Sequence, residues 1–256
     1  MIIEFFGLPG SGKTFLLKKF FSNKNIKKRF YSSYSEFFFK QYLHEENLSY
    51  YKKLKFNLYY KYYKKNFLKS NIIFSKEFQK ILKILKSYKL DKYNKFIFYF
   101  KEILSKTDYS KIRKKRIYYN FLIDLIAYDF FVKKKLYKNS FIINDEGFYQ
   151  RCFMNYNNFN KIIINKNIDK YIQRIPSVDM AVFINESDET CFNRVKNRKY
   201  GFNYHSKSID IIKKYRMINL KIFSNLKKRK TNTLKINSNK FFKKSVIKLY
   251  NVILKK

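Results

Sequence analysis

Short apolar runs, separated by longer stretches of mixed character, set the pattern of this chain. A run of four to seven apolar or β-prone residues is typical of a strand, whereas apolar residues three and four apart are typical of a helix. Strands that alternate with helices predict an α/β fold, with a parallel sheet covered on both faces. The predicted strands are Met1–Phe6, Arg29–Ser32, Ser140–Asn144, Val178–Ile184 and Thr233–Asn237.

The stretch from about residue 36 to 137 differs, since it is rich in Tyr, Phe and Lys and holds neither Gly nor Pro. Apolar residues recur there at helical spacing, for instance over residues 78–85 and 121–126. The stretch is too long for a simple crossover between strands. We therefore predict a helical insertion or cap at about 36–137 within a single domain that spans residues 1–256. A final amphipathic helix is predicted over residues 241–254.

Three of the five glycines fall within residues 7–14, whose sequence G-L-P-G-S-G-K-T fits the phosphate-binding pattern G-x-x-x-x-G-K-[ST]. The loop follows a predicted strand and precedes a predicted helix, which is the context of an anion site. Glycines let backbone N–H groups approach a polyphosphate, the lysine reaches the β- and γ-phosphates, and the hydroxyl ligates Mg²⁺. The predicted ATP-binding residues are Gly7, Gly10, Ser11, Gly12, Lys13 and Thr14.

Two adjacent acids, Asp145 and Glu146, follow the apolar strand that ends at Asn144. In proteins with such a phosphate-binding loop, or P-loop (here residues 7–14), an acid at the end of a neighbouring strand holds the Mg²⁺ of the nucleotide. We predict that Thr14 and Asp145 bind this ion. Glu146 is predicted as a second, water-bridged ligand or as a base that orients the proton of an acceptor hydroxyl.

Gly147 then precedes Gln150 and Arg151, which lie on one helical turn. This turn is predicted to open a helix at the acceptor site. A glutamine there can hydrogen-bond a substrate, and an arginine can clamp a phosphate or carboxylate in bidentate fashion. We therefore predict Gln150 and Arg151 as substrate-binding residues.

The segment after the fourth strand has a clear helix start, with Ser187 as N-cap and two acids in the first turn. Arg194 and Arg198 are four residues apart, so they share one helix face. Arginine is scarce in this chain, which uses lysine for all but nine of its 58 basic residues. We predict a lid at about residues 187–205 in which these two arginines support the transferring phosphoryl group.

Charge and composition change the picture little. The net charge of +40 and the pI of about 10.0 fit a polyanion partner, but they also fit an AT-rich genome that favours Lys, Asn, Ile, Phe and Tyr. We favour the second explanation and expect no specific nucleic-acid binding. Two cysteines and two histidines make neither a disulfide framework nor a zinc site.

The location is predicted from the same sequence. Asp124 and Asp129 interrupt the longest apolar run, Ile117–Val132, which favours a buried or amphipathic helix over a transmembrane segment. The chain begins directly on the first strand, which indicates no leader peptide. A cytoplasmic protein is therefore expected, and no oligomeric state is predicted.

The order of these features resembles the P-loop kinases that act on nucleosides and nucleotides, thymidylate kinase and the deoxynucleoside kinases among them. The resemblance covers residues 1–21 and 138–256 in outline and leaves out the middle hundred residues. It implies a P-loop NTPase three-layer sandwich with about five parallel strands plus a helical insertion. It also implies that Lys13 contacts the phosphates, that Thr14 and Asp145 bind Mg²⁺, and that Arg194 and Arg198 lie in the lid.

The chain departs from that family at two points. The family often has an acid followed directly by an arginine after the third strand, whereas this chain has two acids and a glycine, with Arg151 four residues further on. The family's second-strand carboxylate has no clear counterpart, and Glu36 is the nearest candidate. Both departures concern the acceptor and not the phosphate donor.

The function predicted from these features is ATP-dependent transfer of the γ-phosphoryl group to a small acceptor, that is, a small-molecule kinase. The catalytic residues are predicted to be Lys13, Asp145, Glu146, Arg194 and Arg198. The alternative is a P-loop ATPase coupled to a macromolecular partner, in which the Glu of the acid pair activates water. A nucleic-acid-binding protein with a nucleotide switch rests on charge and aromatic content alone. A GTPase is disfavoured, because the N-K-x-D and D-x-x-G elements are missing.

Overall fold

The computed structural model describes residues 1–21, 29–42, 83, 87–107, 109–136, 140–145, 147–154, 161–197, 208–237, 244, 247 and 249–251. Five strands form one parallel sheet in the order β2-β3-β1-β4-β5. This confirms the predicted α/β fold class. The strands are β1 (Ile2–Gly7), β2 (Arg29–Tyr31), β3 (Ser140–Asn144), β4 (Met180–Asn185) and β5 (Thr233–Asn237).

The strand order places β1 at the centre of the sheet. It pairs with β4 from Ile3 opposite Met180 to Gly7 opposite Ile184. All residues of β1 and β3 are buried, as expected for strands covered on both faces. In the edge strand β5 only Leu234 and Ile236 are buried, because one of its faces is open to solvent.

The described helices follow the predicted alternation with strands. The helix Asp188–Lys196 begins after Ser187, whose side chain accepts a hydrogen bond from Thr190 N at 3.1 Å, so the predicted N-cap is confirmed. The helices are α1 (Lys13–Phe21), α2 (Tyr34–Phe37), α3 (Asn94–Ser105), α4 (Lys111–Lys133), α5 (Phe148–Met154), α6 (Lys161–Arg174), α7 (Asp188–Lys196) and α8 (Ile209–Lys228).

The chain divides into two compact units, of which the first comprises Met1 and Phe30–Ile142. Its core is aromatic, with Phe100 stacked on Phe121 at a centroid distance of 3.9 Å. Helix α4 confirms the buried helix predicted over Ile117–Val132, and both of its acids are buried. Most of the predicted helical insertion falls in this unit, although residues 43–82 lie outside the described part of the chain.

A cluster of polar groups stabilises Asp129 inside the first unit. Its carboxylate accepts hydrogen bonds from Tyr88 Oη at 2.6 Å and Tyr93 Oη at 3.2 Å. Lys92 Nζ and Lys133 Nζ lie 2.5 and 2.7 Å from the same carboxylate. Burial by itself raises the pKa of Asp129, but the hydrogen bonds from Lys133, Lys92 and Tyr88 outweigh it and hold the pKa below its usual value.

The second unit comprises Ile2–Arg29 and Ile143–Lys256. Helices α5, α6 and α8 pack against one another. Tyr250 stacks on Phe20 of α1, and its hydroxyl donates to Phe20 O at 2.5 Å. The rest of the predicted final helix lies largely outside the described residues. Within the described ranges, no helix is both long enough and apolar enough to cross a bilayer.

Candidate active site

The loop between β1 and α1 depends on glycines with a left-handed backbone. The φ angles are 84° at Gly10 and 93° at Gly12, values that cost an L-residue about 1–2 kcal/mol. Gly10 also packs directly against α7, since a Cβ atom there would lie 2.5 Å from Cys191 O. The loop leads into the N-terminus of α1, where unsatisfied N–H groups favour an anion.

Lys13 and Ser11 carry the polar groups of this loop. Lys13 is 9% exposed, and its Nζ donates to Gly7 O at 2.9 Å and Leu8 O at 3.0 Å. Ser11 is fully buried, and its Oγ has no hydrogen-bond partner among the described residues. An ammonium group held on backbone carbonyls and a buried hydroxyl without a partner fit a loop that a polyphosphate completes.

Thr14 and Asp145, the two predicted Mg²⁺ ligands, are in contact. Thr14 Oγ1 donates to Asp145 Oδ2 at 3.1 Å, and neither side chain is buried. Hydroxyl and carboxylate oxygens are the ligands that Mg²⁺ prefers, and in nucleotide sites this ion takes one or two of them and completes its shell with water and phosphate. The pair therefore fits Mg²⁺, although no group of three or more His, Cys, Asp or Glu side chains suited to a metal occurs in the described ranges. Glu146 lies outside the described residues.

Gln150 lies on α5 and is bound to the P-loop strand. Gly7 N donates to its Oε1 at 3.1 Å, and its Nε2 donates to Gly7 O at 3.3 Å. The side-chain amide of Gln150 therefore bonds to both the N–H and the carbonyl of Gly7, and Gln150 is only 7% exposed. The structure shows this positioning contact, and the predicted contact with substrate stays a prediction. Arg151 is half-buried on the same helix, and its predicted substrate role is likewise still a prediction.

Glu4 of β1 contacts the backbone between Asp145 and α5. It is fully buried in β1, and its carboxylate accepts a hydrogen bond from Tyr149 N at 3.1 Å. A Cβ atom on Gly147 would lie 2.2 Å from Glu4 Cδ, so the backbone after Asp145 passes directly over this carboxyl group. The buried acid therefore fixes the path of the chain between the predicted metal ligand and α5.

Arg194 lies over the P-loop. Its Nη1 donates to Gly10 O at 3.2 Å and forms an ion pair with Glu186 Oε2 at 3.1 Å. The same atom is 3.9 Å from the position of a Cβ on Gly12. The structure thus brings Arg194 to the predicted phosphate site. Arg198 and the remainder of the predicted lid, residues 198–205, fall outside the described residues.

Sequence reasoning missed Glu186 and Arg216. Arg216 on α8 donates to Asp188 Oδ1 at 2.7 Å, to Asn185 Oδ1 at 2.9 Å and to Glu186 O, and so holds the junction between β4 and α7. Burial, and next the charge of Glu186, raise the pKa of the neighbouring Cys191 thiol to about 12, which makes it inert. The scarcity of arginine in this chain was the available signal for Arg216.

Glu36 is occupied by local contacts within the first unit. Its carboxylate accepts from Ser32 N at 2.6 Å and pairs with Lys40 Nζ at 2.6 Å. Burial raises the pKa of Glu36, but the hydrogen bonds from Lys40 and Ser32 bring it below its usual value. These contacts fit a residue that stabilises the start of α2.

No protein-family model and no curated protein sequence matches this chain. Solved structures do match it, among them three of a deoxyadenosine kinase from M. mycoides. The structure with the products dCMP and dCDP shows 14% identity and a TM-score of 0.50, and covers 100% of both chains. Those with dATP and dCTP give TM-scores of 0.41 and 0.43 at 14% and 13% identity, covering 99% and 100% of both chains. The first of these matches shows that the chain shares its fold with that deoxyadenosine kinase.

Proposed function

We propose that this protein is an ATP-dependent kinase that transfers the γ-phosphoryl group to a small acceptor. The observation that carries the proposal is the contact between Thr14 of the P-loop and Asp145 at the end of β3, with Lys13 beside them. Phosphoryl transfer depends on positioning and charge stabilisation more than on covalent chemistry, and this arrangement provides both.

Each residue then has a stated task. Lys13 exchanges its two carbonyl contacts for the β- and γ-phosphates, and the backbone N–H groups of residues 10–14 hold the phosphate chain. Arg194, with Arg198 as the second lid arginine, donates to the phosphoryl group in transfer. Thr14 and Asp145 would hold Mg²⁺, which would offset phosphate charge. Asp145 or Glu146 orients the acceptor hydroxyl and accepts its proton.

The acceptor is proposed to be a nucleoside or nucleoside monophosphate. Support comes from the shared fold of a kinase whose structure holds dCMP and dCDP, together with the order of motifs, which resembles that of nucleoside and thymidylate kinases. We further propose that residues 36–137 form an insertion that recognises this acceptor. A cytoplasmic location, where ATP and nucleosides are abundant, belongs to the same proposal.

The test is ADP production from Mg-ATP by the purified protein, alone and with separate pools of nucleosides, nucleoside monophosphates and sugars. We expect turnover with one of the first two pools only. Lys13→Ala should abolish it, whereas Lys18→Ala, an exposed lysine on the same helix, should leave it unchanged. Turnover that is equal in all pools and lost in Lys13→Ala would instead favour the P-loop ATPase, whose macromolecular partner would then have to be found.

A further inference from the structure

Glu186 is a fully buried acid beside the P-loop, and the chemistry proposed above assigns it no task. It follows β4 directly, and its side chain is 0% exposed. A buried carboxylate is costly unless it is paired and hydrogen-bonded. Here Oε1 accepts from Ser187 N at 2.8 Å, and Oε2 faces Arg194 Nη1 at 3.1 Å.

Arg194, which forms an ion pair with this acid, lies over the P-loop. The Arg194 side chain is 47% exposed, so packing against the protein does not by itself fix its orientation. Its Nη1 is shared between Glu186 and Gly10 O. Both contacts are made by Nη1, so they anchor one nitrogen of the guanidinium at the loop.

We propose that Glu186 is a positioning residue, which anchors one nitrogen of Arg194 at the P-loop so that its remaining donors face the polyphosphate. The proposal rests on the function proposed above. An arginine side chain has several rotatable bonds, and fixing it before the ligand binds removes an ordering cost from the binding step. A buried carboxylate suits this task, because its charge is screened less than that of a surface acid.

A double-substitution cycle tests the proposal. Glu186→Gln keeps the size of the side chain and an acceptor oxygen but removes the charge. We expect it to lower kcat/KM for Mg-ATP about tenfold, in line with the loss of a charge-assisted hydrogen bond. The KM for the acceptor should stay within about twofold. In the Arg194→Ala background, the same substitution should cost at most about twofold, because linked residues are not additive.

Controls separate positioning from stability. Glu189→Gln removes an exposed acid from α7, the helix that carries Arg194, and should leave the kinetics unchanged. Glu186→Asp keeps the charge on a shorter side chain and should restore part of the rate that Glu186→Gln loses. Equal melting temperatures of the two variants would show that this gain comes from the charge and not from stability. Losses from Glu186→Gln and Arg194→Ala that simply multiply would overturn the proposal.

The same variants are also titrated with Mg-ATP and with inorganic tripolyphosphate by calorimetry. If the wild type binds both but no acceptor supports turnover, the kinase proposal fails, and the cycle measured on binding still decides the role of Glu186. If the wild type binds neither, both proposals are wrong.

Discussion

Replacing Gly10 by alanine tests how closely the P-loop packs against α7. Gly10 has a φ of 84°, and an added Cβ would lie 2.5 Å from Cys191 O and 3.1 Å from Val195 Cγ2. The carbonyl oxygen belongs to the helix backbone, so it cannot turn away as a flexible side chain would. Either α7 moves away from the loop or the loop changes shape.

The free-energy cost has two parts. The left-handed backbone costs an alanine about 1–2 kcal/mol, and overpacking a tightly packed site costs about 1–3 kcal/mol more. Gly12→Ala is the matched control, because φ is 93° but the nearest atom to its Cβ is Arg194 Nη1 at 3.9 Å. Gly12→Ala should therefore show the backbone cost without the steric one.

The assay measures the melting temperature and the urea midpoint of both variants without nucleotide, with circular dichroism as the signal for unfolding. A chain of about this length loses about 2–4 °C per kcal/mol. Gly10→Ala should therefore melt about 2–12 °C below Gly12→Ala. If the two variants have the same stability, the close approach of Gly10 to α7 is not a feature of the folded protein and the reasoning fails.

Two other predictions concern Gln150 and Asp129. Gln150→Ala should raise the KM for ATP about tenfold in steady-state kinetics, because it removes two hydrogen bonds to Gly7. A rise in the acceptor KM as well would support the predicted contact with the acceptor, and an unchanged ATP KM would contradict the positioning role. Asp129→Asn should cost about 2 kcal/mol of unfolding free energy at neutral pH, measured by urea unfolding against the exposed Asp91→Asn. The pKa of Asp129 is lowered in the folded state, so its contribution is complete above the unfolded-state value of about 3.9 and is lost as the pH falls through the folded value. A wild-type advantage that stays constant down to pH 3 would contradict this.

The strand bounds show how much of the secondary structure the local sequence pattern predicts. The predicted bounds of β3 and β5 match the observed ones, because apolar runs between polar neighbours mark the buried length of a strand. Strand β4 begins at Met180, two residues later than predicted. There Asp179 N donates to Ile2 O at 3.0 Å, but Ile2 N donates to the side-chain Oδ2 of Asp179 at 2.6 Å and not to a backbone carbonyl.

The position of the glycine loop between β1 and α1 was predictable for a similar reason. Its glycines, Lys13 and Thr14 are consecutive in sequence, and a loop of this kind is specified by its own residues and by the strand and helix on either side. Asp145 was predictable because the carboxyl ends of parallel strands meet at one edge of the sheet. The order of the strands, however, was not stated by any local pattern.

Tertiary structure alone decided which side chains serve the loop from a distance. Arg194 and Gly10 are 184 residues apart, and Gln150 and Gly7 are 143 apart. Glu186 reads in the sequence as an ordinary acid before a helix, and its role depends on the arginine that folds back over it. Sequence pattern determines strands, helices and contiguous motifs, because these depend on neighbours within a few residues. Contacts between distant residues depend on the order of strands in the sheet and on which helices cover it.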